Sequence, residues 1–154
     1  MKTRFPLAIL LLLAACSAEA PSPEEMVRER IEEGRKYAAN REISGLASML
    51  TADFTATRGI DKQNLRAWLA RFYLTTSSPQ IVVRIGEITA DRHTARTTLL
   101  MATTNLSLQE LDFDNLRGRL LHMEIDMRFV DEENWMINRV EWRDARPEDL
   151  TLFW

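Results

Sequence analysis

The chain is poor in the residues from which most recognisable sites are built, with one cysteine, two histidines, five glycines and five prolines among 154 residues. A single thiol can form no intrachain disulfide and no paired-cysteine zinc or redox site. Two histidines leave little from which to assemble an imidazole-rich metal centre, which draws several ligands together from different elements. No Gly-rich phosphate loop, Gly-x-Ser-x-Gly elbow or His-Glu-x-x-His helix occurs in the sequence, and no cofactor is expected. Positive charge is never concentrated: the arginines are interleaved with Asp and Glu, and the formal net charge is −3. That excludes the clustered basic surface on which nucleic-acid binding depends. The apolar run at residues 5–13 is far shorter than the roughly 20 residues that a membrane span requires.

That run has a different meaning. Met1-Lys-Thr-Arg4 is a basic start, residues 5–13 are apolar, and Ala14-Ala15-Cys16-Ser17 follows, which is the order of a secretion signal. Leu13-Ala14-Ala15-Cys16 resembles the lipobox of bacterial lipoproteins at every position. The resemblance implies removal of residues 1–15, a diacylglycerol thioether on Cys16, and a lipid-anchored protein in the cell envelope facing the periplasm. Ser17, rather than Asp, after the cysteine points to the outer membrane. Residues 16–22 then form the lipidated cysteine and a short tether, and residues 23–154 a single domain. Loss of Lys2 and Arg4 with the leader makes the remainder more acidic, and loss of any partner for Cys16 leaves its stability to packing.

The domain opens with helical signals. Ser22-Pro23-Glu24-Glu25 supplies an N-cap, a Pro at the first helical position and a capping-box Glu. Val27, Ile31, Gly34 and Ala38 share one helical face, with Gly34 allowing close approach. Asn40 breaks this helix. Ile43, Leu46, Ala47 and Leu50 predict a second short helix running toward Asp53. Gly59 turns the chain, and Asp61 caps a third helix whose buried positions are Leu65, Trp68, Leu69, Phe72 and Tyr73.

From Ile81 the period changes to two. Ile81, Val83 and Ile85 make one strand, Asp91-Arg-His93 a turn, and residues 94–104 a return strand with Leu99 and Met101 opposed to Arg96 and Thr98. Residues 116–143 predict the longest hairpin, turned at residues 131–134. Leu121, Met123, Ile125, Met127 and Phe129 form its dry face, while His122, Glu124, Asp126 and Arg128 form its wet one. Pro147 stops the last strand.

Helices followed by antiparallel strands predict an α+β fold with the N-terminal helices packed on a curved antiparallel sheet. In this order, Leu46-Ala-Ser-Met-Leu-Thr-Ala-Asp-Phe54, the helix of residues 65–73 and the strand Trp135-Met-Ile-Asn-Arg-Val-Glu-Trp142 resemble the NTF2-like (SnoaL-like, cystatin-like) superfamily. The resemblance implies a cone with a cavity between helices and concave sheet, used by some members for catalysis and by others for binding or assembly.

His122, Glu124 and Asp126, alternating on one strand, are the available metal-ligand set. Their face more simply pairs with Arg139, Glu141 and Arg143 on the neighbouring strand, and no metal is expected. Enzymes of the superfamily place an acid–base group inside the cavity. Tyr37, Asp53 and Tyr73 are the only polar candidates near its mouth, and they match no catalytic pattern. The apolar candidates for binding are Trp68, Tyr73, Met101, Met123 and Met127, together with Phe153 and Trp154 of the terminal Leu150-Thr-Leu-Phe-Trp154. The expected function is therefore a non-catalytic, lipid-anchored domain that binds an apolar small molecule or an envelope protein. A cavity enzyme of the SnoaL or ketosteroid-isomerase kind is the first alternative. The second is an assembly subunit of an envelope or secretion complex, with self-association into a homodimer.

Overall fold

A computed structural model describes residues 20–75, 80–104, 120–131 and 134–151. The elements are α1 (Pro23–Ala39), α2 (Ile43–Ser48), β1 (Leu50–Ala56), a 3-10 turn (Thr57–Gly59), β2 (Ile60–Asp61), α3 (Lys62–Thr75), β3 (Gln80–Ala90), β4 (Thr94–Thr104), β5 (Leu120–Val130), β6 (Asn134–Asp144) and α4 (Pro147–Leu150). The expected α+β arrangement is present, with helices on a curved, unclosed six-stranded sheet of order β2-β1-β6-β5-β4-β3. All neighbours are antiparallel except β1 and β6, which run parallel.

α1 begins as its sequence requires. Glu25 N–H donates to Ser22 Oγ at 3.2 Å, and Ser22 N–H donates to Glu25 Oε2 at 2.8 Å, closing the capping box. Val27 and Ile31, one turn apart, are buried against Leu99, Ile125, Met127 and Trp135 of the sheet. At Gly34 an added Cβ would lie 3.1 Å from the Met49 methyl, so the absent side chain is what admits Met49. The helix stops at Asn40, and Arg41 follows with a φ of 60°.

The long hairpin forms with its dry face toward the helices. Ile125 and Met127 are buried in the core, and Met123 and Phe129 pack against it. Its register sets His122 opposite Arg143, Glu124 opposite Glu141 and Asp126 opposite Arg139. Asp126 pairs with Arg139 while Met127 pairs with Ile137, so Asn138 is an extra residue in β6 that keeps both Ile137 and Val140 on the concave side. β3 does the same between Ile85 and Ile88, and the buried Thr97 hydroxyl donates to the Glu87 carbonyl at 3.0 Å within that irregularity.

Three sequence expectations change. The second helix ends at Ser48, and the segment running toward Asp53 is instead β1. In it Phe54 and Ala56 are buried while Asp53 and Thr55 are exposed, and β6 supplies the backbone partners in a register that places Ala56 beside Val140. Pro147 does more than end β6, because it also begins α4. Trp68 is not in the core but half exposed, at 50%. Leu65, Leu69 and Tyr73, at i, i+4 and i+8, face inward from α3, which packs on β1, β2 and α2, and this rotation turns Trp68 outward.

Phe54, 2% exposed, carries the strand that the helical reading missed. Phe54→Ala is expected to cost about 3–5 kcal/mol in urea denaturation, as for other fully buried phenylalanines.

Candidate functional site

The concave sheet face is apolar. Met127 and Ile125 lie at its base, Met123 and Trp142 pack around them, and Met101 is half-buried on the same side of β4. Three of the expected binding residues, Met101, Met123 and Met127, are therefore brought to one surface. Tyr73 reaches the core from α3, whereas Trp68 points away from it, stacked on Phe72 with 5.5 Å between ring centroids. Phe153, Trp154 and Cys16 lie outside the described residues.

The polar candidates are not brought together, and each is engaged by a local partner. Tyr73 donates through its hydroxyl to the Ala38 carbonyl at 3.0 Å, while the Arg41 guanidinium lies over its ring and donates to its carbonyl at 3.3 Å. Burial raises the Tyr73 phenol pKa, so the hydroxyl stays a donor tying α3 to the end of α1. Tyr37 donates to Glu33 Oε1 at 2.8 Å, which raises the phenol pKa and lowers that of the carboxyl. Its ring fills the space above Gly45, where an added Cβ would approach to 2.4 Å. Asp53 is no helix-ending residue: it lies on the convex side of β1, accepting from Arg128 Nη2 at 2.7 Å, and that bond holds its carboxyl below the ordinary value. An acid–base pair requires groups within hydrogen-bond reach of one reacting atom. Two phenols at the end of α1 and a carboxylate on the opposite side of the sheet do not supply one.

The alternating set on β5 separates in the same way. Asp126 accepts from Arg96 at 2.7 Å and lies 3.9 Å from Arg139, and Glu124 is exposed opposite Glu141. Among the described residues no group of three or more His, Cys, Asp or Glu is placed to hold a metal ion. Beside the Arg96–Asp126 pair, an open hollow of about 600 Å³ is lined by Arg96, Asp126, Arg128 and Asn138. Arg96 is matched by Asp126 and Arg128 by Asp53 across the strands, and Asp91, also on the hollow's wall, accepts from His93 and Thr94 of its own turn.

His122 departs from the expected wet face, since it is 5% exposed. α4 places Asp149 Oδ1 3.9 Å from His122 Nε2, and Leu100, opposite His122 on β4, is buried as well. Asp149 holds this end together. It accepts from Arg143 Nη1 at 2.6 Å and Nη2 at 2.7 Å, and from the Arg146 N–H at 2.7 Å. The Arg143 guanidinium keeps the Asp149 carboxyl far below the usual carboxylate range. The sequence reading missed this cluster, although one signal was present: an acid at the third position of a helix opened by Pro147.

No family model matches the chain, and no curated protein matches it. Solved structures do. A domain of unknown function with a cystatin-like fold from Nostoc punctiforme superposes with a TM-score of 0.66 at 13% identity, covering 88% of this chain and 85% of its own. An NTF2-like protein of unknown function from Pseudomonas putida gives 0.61 at 15% identity, covering 82% and 89%. A Bdellovibrio bacteriovorus protein gives 0.61 at 15% identity over 79% of this chain, which spans only 40% of that protein's length. The fold is therefore NTF2-like.

Two substitutions test the assignments made above. Tyr73→Phe is expected to lower stability by about 1 kcal/mol, the value of one partly buried hydrogen bond, in a denaturant titration. Asp149→Asn is expected to cost about 2 kcal/mol at neutral pH. Because the folded pKa of Asp149 is depressed, its contribution is complete above the unfolded carboxyl pKa of about 4 and is lost as pH falls below that toward the folded value. The gap between wild type and variant should therefore be flat from pH 7 to 5 and close in more acidic solution. A gap that persisted unchanged at the acid end would contradict the assignment.

Proposed function

We propose that the chain is a bacterial envelope lipoprotein, attached through a lipid on Cys16, whose NTF2-like domain binds rather than catalyses. The observation that carries this reading is the division between its faces. Every phenol or carboxylate offered for acid–base chemistry is engaged by a neighbour, while the concave face presents Met101, Met123 and Trp142 around an apolar core. Methionine is unbranched and polarisable, so such a surface adapts to apolar partners of varied shape. The ligand is an apolar small molecule or an apolar segment of an envelope protein. Attachment follows from Leu13-Ala-Ala-Cys16: two or three acyl chains, each methylene contributing about 0.8 kcal/mol, make anchoring effectively permanent.

Cys16→Ala is expected to abolish metabolic labelling with palmitate and to leave the precursor uncut. A labelled, normally processed variant would remove the anchoring claim. Binding of an apolar fluorescent dye is expected to be unchanged when Asp53→Asn and Tyr73→Phe are combined. Its disappearance would transfer the function to the polar groups.

A further inference from the structure

α3 has an outward face unlike the rest of the acidic chain. Its sequence contains Lys62, Arg66 and Arg71 and no Asp or Glu, whereas the whole chain carries a net charge of −3. Lys62 is engaged, donating to the Leu50 carbonyl at 2.7 Å. Arg66 and Arg71 are exposed. Ala67, Arg71 and Leu74, at i, i+4 and i+7, share one side of the helix, with Arg66 and Trp68 flanking it. Leu74 at 87% and Trp68 at 50% are the exposed large apolar side chains among the described residues. The Trp68 ring is held nearly parallel to Phe72, with an interplanar angle of 10°. A half-exposed Trp at one edge of this side and a bare Leu near its C-terminal end, with Arg66 and Arg71 between solvent and helix, suit the boundary between headgroups and acyl chains: the apolar groups enter the apolar layer while the guanidinium groups reach phosphate.

We infer that this face of α3 lies on an anionic lipid surface and sets the orientation of the domain on the bilayer. The inference rests on the lipid-anchor reading, which supplies the membrane at close range. Residues 17–22, fully extended, reach roughly 20 Å. α1, 17 residues long, spans roughly 25 Å, and Tyr73 ties the end of α3 to its far end at Ala38. The end of α3 thus lies roughly one α1 length from the anchor side of the domain, a distance comparable to the reach of the tether. Binding by α3 alone needs only modest strength, because the anchor makes it an intramolecular event.

The test uses the mature chain purified from membranes and reconstituted in phosphatidylcholine vesicles containing a lipid brominated in its upper acyl chain, with or without phosphatidylglycerol. Tryptophan emission is expected to be quenched more strongly when phosphatidylglycerol is present, and that increment is expected to vanish in Trp68→Phe. In Arg66→Gln and in Arg71→Gln the ratio of docked to undocked molecules should fall roughly fivefold each, the worth of one basic residue at an anionic surface. An increment unchanged in Trp68→Phe, or equal quenching without phosphatidylglycerol, would overturn the inference. So would a Trp68 shielded in detergent by a dimer seen in light scattering, which would assign the face to a second copy. Mass spectrometry of the Cys16 peptide separates the two levels: an unlipidated cysteine overturns the anchor and this orientation together, whereas a lipidated one with Trp68 unquenched overturns the orientation alone.

Discussion

The structure depends on the burial of the concave sheet face beneath α1, which packs chiefly along β3 and reaches β6. Val27 on the helix and Met127 on the sheet are 0% and 1% exposed, and Ile31, Ile125, Trp135 and Val140 close around them. Fully burying side chains of this size contributes about 1.5–3 kcal/mol each. No covalent staple supplements this, since a lone cysteine offers none. The other elements follow from that contact. α2 and β1 continue the chain from the end of α1, Met49 enters the space left by Gly34, and β1 extends the sheet by pairing with β6. The irregularities in β3 and β6 serve the same face by keeping Ile85, Ile88, Ile137 and Val140 on its side.

The convex face is organised by charge instead. Arg128 pairs with Asp53 and Arg96 with Asp126, linking β5 to β1 and β4 to β5, while Arg139 pairs with Glu141 along β6, through largely exposed groups worth only about 0.2–1 kcal/mol each. At one end this pattern gives way to burial. α4 covers His122 there, and Asp149 satisfies both the Arg143 guanidinium and the start of its own helix. Asp149 is itself buried and accepts three hydrogen bonds, two of them from a guanidinium, so it carries more weight than any of the exposed pairs. One face is thus apolar, and the other carries the charged pairs and the end that α4 covers.

Much of this was legible in the residues themselves. The capping box at Ser22, the role of Gly34, the Asp61 cap of α3 and the dry faces of β4 and β5 are local signals, and local geometry honoured them. The charged alternation on both strands made Arg143, Glu141 and Arg139 the expected partners of His122, Glu124 and Asp126, but the turn alone would set these three opposite Trp142, Val140 and Asn138, and it is the extra residue Asn138 that brings the charged residues into line. What escaped depended on distant partners. Leu50 fits a helical stripe as well as a strand, and only parallel pairing with β6 decides between them. His122 looked solvated because nothing near it in sequence announces that α4 returns over it. Trp68 looked buried because an apolar helix stripe does not say which of its edges meets a neighbour. For the same reason Tyr37, Asp53 and Tyr73 could be grouped as a polar set in sequence, whereas in space Asp53 stands on the far side of the sheet from Tyr73.

The central claim is that the concave face is the working surface and the convex face a scaffold. The most direct measurement is photo-crosslinking in native membranes from a benzophenone side chain placed at Met101 on the concave side, and separately at Glu124 on the convex side. A discrete adduct from Met101, with none from Glu124, is the predicted result. An adduct from Glu124 with Met101 silent would place the working surface on the convex face and contradict the account.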